Sequence, residues 1–454
     1  MASPHPPSDP ARSPWRWIPT LYFGQGLPYV AVMMLAVVMY KNLGVSNTDI
    51  ALLTSWLYLP WVIKPLWGPL VDLLGRKRVW IVALQFTLGA SLALVALVVP
   101  APAFLQLSLA LFWLMAFASA THDIAADGFY MLALPHHSQA AFVGVRSTFY
   151  RLAMITGQGG LVMLAGWLQQ VYAGEPGGVA LAWRWVFLLL AGLFVLMALW
   201  HAAVLPRPQA DQPAPRVFGA AALLGDALAV FAAFFRQPGI ARILAFLLLY
   251  RLGEAQLLKL VAPFVLDGRE QGGLGLSTQA LGLAYGTAGV VALTLGGLLG
   301  GWFISRLGLK RALWPLLAAM HLPNLVYVAL AWAQPHSLWL VSAAIAVEQF
   351  GYGLGFTAYM VFMLMVAERP GMGEASYLSG QPRPANPHAT AHYALCTGFM
   401  ALGMMLPGMA SGWLQSLWGY TGFFAWVCLA TLPSLLAAAL LRIPAEFGRR
   451  SASG

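Results

Sequence analysis

Apolar runs of about twenty residues recur along the whole chain, and this feature restricts the fold more than any other. About 20 residues of α-helix cross the hydrocarbon core of a bilayer. Only 9% of the residues are charged, whereas soluble domains carry about 25%, so the chain has too few charges to keep a water-exposed surface solvated. We therefore predict an all-α integral membrane protein with twelve transmembrane helices, at roughly 18–40, 49–71, 79–99, 104–132, 141–168, 185–205, 240–266, 280–305, 312–332, 338–366, 392–417 and 423–441.

The lysines and arginines are distributed unevenly between the two sets of loops. With the N-terminus inside, eighteen of the 25 lie in inner loops and adjoining helix ends, three in outer segments and four deeper in the helices. Short cytoplasmic loops are enriched in these residues, so we predict that both termini are cytoplasmic. The net charge of +10 then reflects topology, and the partner that it indicates is the lipid bilayer and not a nucleic acid.

A Pro/Ala-rich break at 206–239 divides the chain into two halves. We predict a cytoplasmic tail at 1–16, an N-terminal six-helix bundle at 17–205, and a C-terminal six-helix bundle at 240–442, with a second cytoplasmic tail at 443–454. The moderately apolar end of the break contains Asp226 and is followed by Arg236. We interpret it as a helix that lies at the inner membrane interface. Cys396 and Cys428 lie in apolar runs and predict neither a disulfide nor a zinc site.

Two loops 233 residues apart carry the same pattern. Both glycines, the lysine and the last arginine coincide, while Ser305 replaces Asp72 and Leu309 replaces Arg76. The pattern resembles the major facilitator signature G-x-L-x-D-x-x-G-R-K, which implies the major facilitator fold, with two bundles that move against each other. Physically, the first glycine allows close helix packing and the second a tight turn. The predicted gating residues are Gly68, Asp72, Gly75, Arg76, Lys77 and Arg78 in the first copy, and Gly301, Gly308, Lys310 and Arg311 in the second.

Ionisable residues within the N-terminal spans are costly to insert and therefore indicate function. Asp123 and Asp127 are four residues apart and share one helix face. Lys64 and Arg151 are the cations that could balance them. The two aspartates are either proton carriers or members of a static ion-pair network. His122 and Asp123 point about 100° apart on a helix, so we predict no metal site.

The C-terminal spans contain a second set of ionisable residues. Arg251 and Glu254 are three apart and form either an intrahelical pair or a cavity-lining pair that opens when solute or a proton arrives. Glu348 has no cation nearby in sequence, which is compatible with proton binding or with a structural hydrogen bond. We predict Asp123, Asp127, Glu254 and Glu348 as the proton-coupling residues.

Several spans resemble the AmpG muropeptide permease family, which is related to acetyl-CoA transporters. The segment Phe23-Gly-Gln-Gly-Leu-Pro28 resembles the family's opening, and Ala120-Thr-His-Asp-Ile124 with Asp127 resembles A-T-Q-D-I-x-x-D. Similar matches cover 59–72, 150–154, 249–254, 348–358 and 389–395. Departures are His122 in place of the family's glutamine, and Phe129 and Tyr130 after the second acid. The resemblance implies proton-driven import of N-acetylglucosaminyl-anhydromuramyl peptides across a bacterial inner membrane.

We accordingly predict a transporter, not an enzyme, that uses no cofactor beyond the proton motive force and acts as a monomer. Its partners are protons and a small-molecule solute. The alternatives are an exchanger or exporter of another amphipathic anion or sugar, and a non-transporting membrane sensor. An intramembrane enzyme is disfavoured because neither H-E-x-x-H nor a nucleophile elbow occurs. The predicted substrate-binding residues are polar or aromatic positions in the spans: Gln25, Tyr29, Lys64, His122, Tyr150, Arg151, Gln158, Arg251 and Gln349.

Overall fold

The computed structural model describes residues 13–209, 211–212, 220–369, 386 and 388–449, and it places helices at all twelve predicted positions. In the first half they are α1 (Ile18–Val30, Ala31–Leu35 and Ala36–Asn42), α2 (Asn47–Trp56 and Leu59–Leu74), α3 (Lys77–Val98), α4 (Phe104–Ala133), α5 (His136–Ile155, Thr156–Leu161 and Val162–Val171) and α6 (Gly178–Val204). The predicted tails and linker fall partly outside the described residues.

The second half is preceded by a linker helix, Ala220–Phe235. It continues with α7 (Ile240–Leu249 and Leu252–Leu266), α8 (Thr278–Leu281, Gly282–Gly289 and Val290–Leu307), α9 (Leu309–His321, Leu322–Asn324 and Leu325–Ala333) and α10 (Leu338–Ala367). The last helical segment, Ala389–Leu429, is divided at Gly419 into α11 (389–418) and the start of α12, which ends in Leu432–Ala439.

The chain turns back on itself at Gly419. This glycine has φ 65°, a left-handed conformation that other residues rarely adopt. Gly403 before the turn and Ser434 after it both contact backbone carbonyl groups of Leu247–Leu249 in the first part of α7. Tyr420, at the turn itself, contacts Asp267 beyond the other end of α7. The 51-residue apolar segment Ala389–Ala439 therefore makes two membrane passes.

Length and hydropathy alone identify eight membrane-spanning segments among the described residues, or nine when a pair bent by 94° next to the linker is counted. That pair consists of Leu228–Phe235 and Ile240–Leu266, so the linker helix lies nearly perpendicular to α7. The segments account for every span except α2, which is interrupted at residues 57–58, and α5, which is comparatively polar. Two helices begin earlier than predicted: α5 at His136 and α6 at Gly178. The polar residues before 141 and the segment that ends at Arg184 belong to the helices and not to loops.

The two halves have the same internal packing. In the first, α1 packs against α5, and α4 against both α2 and α3. In the second, α7 packs against α11, and α10 against both α8 and α9. Each of these helix contacts of the first half recurs in the second half between the helices numbered six higher. The sequence repeat is therefore a structural repeat, and the molecule consists of two six-helix bundles.

The bundles meet along α2 with α11 and along α5 with α8. Glycines allow this close approach: a Cβ at Gly408 would lie 2.7 Å from the Ser55 hydroxyl, and one at Gly398 would lie 2.8 Å from the Val62 carbonyl oxygen. A Cβ at Gly159 of α5 would lie 3.1 Å from the Gly286 carbonyl oxygen of α8. Side chains at these positions would hold the bundles apart.

Candidate functional site

Asp123 on α4 faces α2. Its Oδ2 lies 3.9 Å from the Lys64 ammonium and accepts a hydrogen bond of 3.3 Å from the Trp61 indole N–H. Both members of the ion pair are partly exposed, so they border a space that solvent or solute can enter. The predicted pairing of Lys64 with this aspartate is present in the structure.

Asp127 lies one turn further along α4 and has a different cation. Its Oδ1 accepts a hydrogen bond of 2.6 Å from the Arg146 guanidinium and one of 3.2 Å from the Tyr22 hydroxyl. The guanidinium lies 4.3 Å from the ring centres of both Tyr22 and Tyr130, a favourable cation–π arrangement. The expectation that Arg151 balances this acid is wrong. Because α5 begins at His136 and not near residue 141, Arg146 lies almost three turns inside the helix and not near its end.

Arg151 instead extends towards the other bundle. Its Nη2 lies 3.6 Å from the position of a Cβ built on Gly297 of α8. Gln158 is near the same interface, where its carbonyl oxygen contacts Gly286. These two predicted substrate-binding residues therefore lie along the contact between α5 and α8, away from the two aspartates.

Three other predicted substrate-binding residues lie near Asp123. Tyr29 packs edge-to-face against Trp61, with ring centres 5.5 Å apart, and Tyr150 lies close to both Tyr29 and Asp123. Gln25 is also within interaction distance of Asp123. The structure thus brings aromatic, amide and charged groups of four helices together on the inner face of the N-terminal bundle.

Arg251 faces this group from the C-terminal bundle. It lies at the interruption of α7, with φ −108° and ψ 20°, and donates a hydrogen bond to the Tyr352 hydroxyl. Its guanidinium also lies 5.2 Å from the ring centre of Tyr352 and 5.1 Å from that of Phe356. It also lies close to Tyr29 of the other bundle.

The sequence left open whether Arg251 and Glu254 form an intrahelical pair or a cavity-lining pair. The described ion pairs do not include them, although each is close enough to influence the other electrostatically. Arg251 precedes the regular helical segment Leu252–Leu266 and has a non-helical backbone conformation, so the spacing of three does not bring the two groups into direct contact. Glu254 is fully buried, and neither carboxyl oxygen has a hydrogen-bond partner among the described residues.

Glu348 on α10 is also fully buried and interacts electrostatically with Glu254. Its Oε2 accepts hydrogen bonds from the Tyr327 hydroxyl, at 3.2 Å, and from the Gln349 amide, at 3.0 Å. Its Oε1 has no partner among the described residues. A buried carboxylate without a counterion is costly, so binding of a proton or a cation here stabilises the surrounding structure strongly.

Lys259 connects the two bundles by a buried hydrogen bond. It lies on α7, is almost fully buried, and donates a hydrogen bond of 3.0 Å to the Thr54 hydroxyl on α2. Its ammonium also lies 5.0 Å from the ring centre of Tyr58. The sequence indicated only that Lys259 was an intramembrane cation, since its partner is 205 residues away.

His122 lies inside the N-terminal bundle and does not contact the Lys64–Asp123 pair. Gln85 on α3 is hydrogen-bonded to its Nε2 at 3.2 Å, and the same Gln85 accepts a bond of 2.9 Å from His201 on α6. His201 in turn contacts the Thr20 hydroxyl at 2.9 Å. The structure therefore separates His122 from the predicted substrate-binding residues near Asp123.

The first copy of the repeated motif is bound by the start of the linker. The Asp211 carboxylate accepts hydrogen bonds from the backbone N–H groups of Lys77, at 2.7 Å, and Arg78, at 3.1 Å. Arg76 donates to the Gln212 side chain, and Arg78 to the Leu205 carbonyl oxygen. The Asp72 side chain lies outside the described residues. The close packing predicted at Gly68 is absent, because no described atom lies within 4 Å of a Cβ built there.

The second copy is bound by the segment after α12, through backbone groups and not through a carboxylate. Gly308 has φ 78°, and a Cβ built on it would lie 3.1 Å from the Ala445 carbonyl oxygen. The backbone N–H of Leu309 donates to the Phe447 carbonyl oxygen at 2.8 Å. Lys310 and Arg311 are exposed, and Gly301 has a single neighbour at 3.9 Å, in Thr357.

A second set of contacts joins the bundles at the end opposite the linker, which we call the far end. Lys41 at the end of α1 forms an ion pair with Asp267 at the end of α7. Asp267 also accepts hydrogen bonds from Asn47, at 3.0 Å, and from Tyr420, at 2.5 Å. Lys41 and Asp267 were not singled out in the sequence, because they lie just beyond the apolar spans and 226 residues apart. We call these four residues the far-end latch.

Two related helical bundles with polar groups at their interface, in a multi-pass membrane protein, are the architecture of a secondary transporter. Residues 20–380 match the Major Facilitator Superfamily, and the protein belongs to this family. Relatives include the anhydromuropeptide permease of Escherichia coli (strain K12), 26% identical over 94% of this chain and 80% of the relative. Another is the putative transporter AmpG 4 of Rickettsia conorii, 23% identical over 90% of this chain and 92% of the relative.

Solved structures show the same fold at low sequence identity. The nucleoside transporter NupG aligns with a TM-score of 0.61 and 16% identity, covering 93% of this chain and 96% of NupG. A bacterial homologue of the lysosomal transporter Spinster, in an inward-facing and occupied conformation, aligns with a TM-score of 0.61 and 17% identity over 95% and 96% of the two chains. The predicted major facilitator fold is confirmed, and the matched proteins are transporters and permeases, not enzymes.

Proposed function

We propose that the protein is a proton-coupled secondary transporter that imports an amino-sugar or muropeptide-like solute. The relationship to the anhydromuropeptide permease supports this substrate class. The observation that carries the proposal is the meeting of polar and charged groups from both bundles. Lys64 and Asp123 lie on one side, and Arg251 lies on the other, within interaction distance of Tyr29.

The proposed substrate site fits a solute that has sugar rings, amides and carboxylates. Aromatic faces such as those of Tyr29, Trp61 and Tyr352 pack against sugar rings, while Lys64 and Arg251 attract the carboxylates of an attached peptide. Both cations already have polar or aromatic partners, so a solute carboxylate would exchange one set of contacts for another. Such exchange links solute binding to the arrangement of the helices.

The proposed proton sites are Glu254 and Glu348, together with Asp123 and Asp127. Glu254 and Glu348 have unpartnered oxygens in a buried setting, and their protonation state affects whether the C-terminal bundle carries a charge near Arg251. At a membrane potential of about 100 mV, one proton gains roughly 2.3 kcal/mol from the field. That free energy supports a solute gradient of about fifty-fold.

The proposed location is the bacterial inner membrane, with the linker end and both termini in the cytoplasm, as the positive-inside distribution indicates. In this orientation the far-end latch lies on the outer side. The described conformation is then closed to the outside, because Lys41 and Asp267 join the bundles there. We propose a monomer that needs no cofactor.

The test is transport by purified protein in proteoliposomes. We expect labelled N-acetylglucosaminyl-anhydromuramyl tripeptide to accumulate when a proton gradient is imposed, and to exchange in counterflow without one. Panels of simple sugars and nucleotides serve as controls for substrate class. Failure to move any amino-sugar compound would overturn the substrate class, and accumulation that does not depend on the proton gradient would overturn the coupling.

A further inference from the structure

A cavity of about 650 Å³ opens at the far end of the molecule, where the ends of α1, α5, α7 and α8 meet. Its volume is within the range of about 300–1,000 Å³ that small-molecule sites occupy. It is separate from the groups around Asp123 and Arg251, which lie deeper between the bundles. More than half of its lining residues have polar side chains, and none is aromatic.

The cavity wall is built by hydrogen bonds that hold four helices in place. The Asn42 carboxamide oxygen accepts bonds from Gln169 at 2.8 Å, from Trp183 at 3.1 Å and from Thr278 at 3.2 Å. Gln170 donates across the bundles to Gln279 at 3.3 Å. These bonds use one of the two amide N–H groups of each glutamine, so each side chain keeps a second donor and its carboxamide oxygen for a ligand.

The lining has no net formal charge, because Lys41 and Asp267 are its charged members and are paired with each other. Gln271 adds an exposed carboxamide with both donor and acceptor groups. Such a lining forms hydrogen bonds with hydroxyl and amide groups, and it provides no unpaired charge for a simple anion or cation. The ligand chemistry that it fits is that of an amide-bearing sugar.

We propose that this cavity is an outer-face binding site, which receives the amino-sugar part of the solute before the far-end latch opens. This inference rests on the proposed function and its orientation. Because Lys41 and Asp267 belong to both the cavity and the latch, a solute held here lies directly against the ion pair that closes the path. We assign recognition of the amino-sugar to the carboxamide groups of Gln169, Gln170 and Gln271.

Filling the cavity tests the proposal. Gly268 lines it, has φ −59°, and has no atom within 4 Å of a built Cβ, so Gly268→Trp occupies the cavity without backbone strain. Gly174 lies in an exposed loop at the same end, does not line the cavity, and also has no neighbour within 4 Å. Gly174→Trp is therefore the matched control. Gln271→Ala removes one proposed contact without adding bulk.

The measurement is the half-saturation concentration for labelled N-acetylglucosaminyl-anhydromuramyl tripeptide, in vesicles of a host that lacks its own permease. We expect Gly268→Trp to raise it about ten-fold in right-side-out vesicles, as expected when a few hydrogen bonds are lost, and Gln271→Ala to raise it about three-fold. Exchange from the inner side, in inside-out vesicles, stays unchanged and shows that the variants are folded. Gly174→Trp behaves as wild type on both sides.

Two results would overturn the inference while leaving the proposed function intact. One is wild-type uptake by Gly268→Trp in right-side-out vesicles. The other is an equal rise on both sides, which would place the effect in the central site or in folding. If wild-type vesicles do not transport the probe from either side, the proposed substrate class fails, and this inference fails with it.

Discussion

At the residue scale, Asp123 and Asp127 share one face of α4 but have separate cations. Lys64 lies 3.9 Å from the first, and Arg146 lies 2.6 Å from the second, where Tyr22 also donates. Neither cation is shared, so each acid is balanced locally. This arrangement is that of an ion-pair network.

The pairing of Asp127 with Arg146 predicts a specific coupling. We expect Arg146→Met and Asp127→Asn to show a coupling free energy of unfolding of about 0.5–1 kcal/mol, small because the carboxylate is nearly half exposed and therefore screened. Thermal unfolding in detergent measures it. The control cycle combines Arg151→Met with Asp127→Asn, for which we expect additive effects. Equal coupling in both cycles would contradict the assignment.

Glu348→Gln tests proton coupling in the C-terminal bundle. The substitution keeps the shape and an acceptor for the Tyr327 hydroxyl but removes the ionisable proton. We expect proton-driven accumulation to fall from about fifty-fold to equilibration, while counterflow continues. Glu368→Gln, at the exposed end of the same helix, is the control and retains accumulation. Undiminished accumulation by Glu348→Gln would exclude this residue as an essential proton site.

At the element scale, the helices around the bundle interface are interrupted at related places. In the first half, α1 has a wider turn at Ala31–Leu35, and α2 is broken at residues 57–58. The corresponding helices of the second half are broken at residues 250–251 of α7 and widened at Gly282–Gly289 of α8. Interrupted helices expose backbone polar groups, which membrane proteins tolerate where the helix is buried in protein or lines a cavity. The interruptions therefore mark the interface as the part of the molecule adapted for binding.

The N-terminus of α3 depends on a residue outside the helix. Asp211 accepts both the Lys77 and the Arg78 backbone N–H groups, and an anion at this position also interacts favourably with the helix dipole. We expect Asp211→Ala to reduce the free energy of unfolding by about 1–2 kcal/mol, measured by thermal unfolding of the full chain in detergent. Asp211→Asn retains an acceptor oxygen and should lose about half as much. Equal losses would show that capping is not the cause.

At the scale of the whole molecule, the two halves are held differently at their two ends. At the linker end, each half binds its own repeated motif through the segment after its sixth helix: Asp211 in one, Phe447 in the other. At the far end, the halves are joined to each other through Lys41, Asn47, Asp267 and Tyr420. Movement of one bundle against the other therefore requires the far-end latch to break, while the contacts at the linker end remain within each half.

Removal of the latch should open the far end. In a background with Cys396 and Cys428 replaced by Ala, Ser55→Cys places a thiol at a fully buried position where the hydroxyl has no partner. We expect Asp267→Ala to increase its alkylation by a membrane-impermeant reagent about ten-fold, because the open state becomes more populated. Glu270→Ala, in the adjacent exposed turn, is the control. An unchanged rate in Asp267→Ala would show that the latch does not hold the closed state.

Local sequence patterns determined the helices, the duplication and the class of protein. Hydrophobic runs reveal spans because each helix must be apolar enough to cross the bilayer and must pair its own backbone groups. The motifs around residues 68–78 and 301–311 reveal the repeat because both connect the second and third helices of their bundle. The sequence also identified the ionisable residues within spans as candidates for function, because inserting each one into the bilayer costs free energy.

Only the tertiary structure decided which groups meet. It paired Asp127 with Arg146 instead of Arg151, left Arg251 without an ion-pair contact to Glu254, placed His122 inside the bundle, and joined Lys41 to Asp267. These contacts depend on where a helix begins, where it is interrupted and how the bundles are docked. Spacing along one helix does not contain that information, because the partners are held by long-range packing between helices.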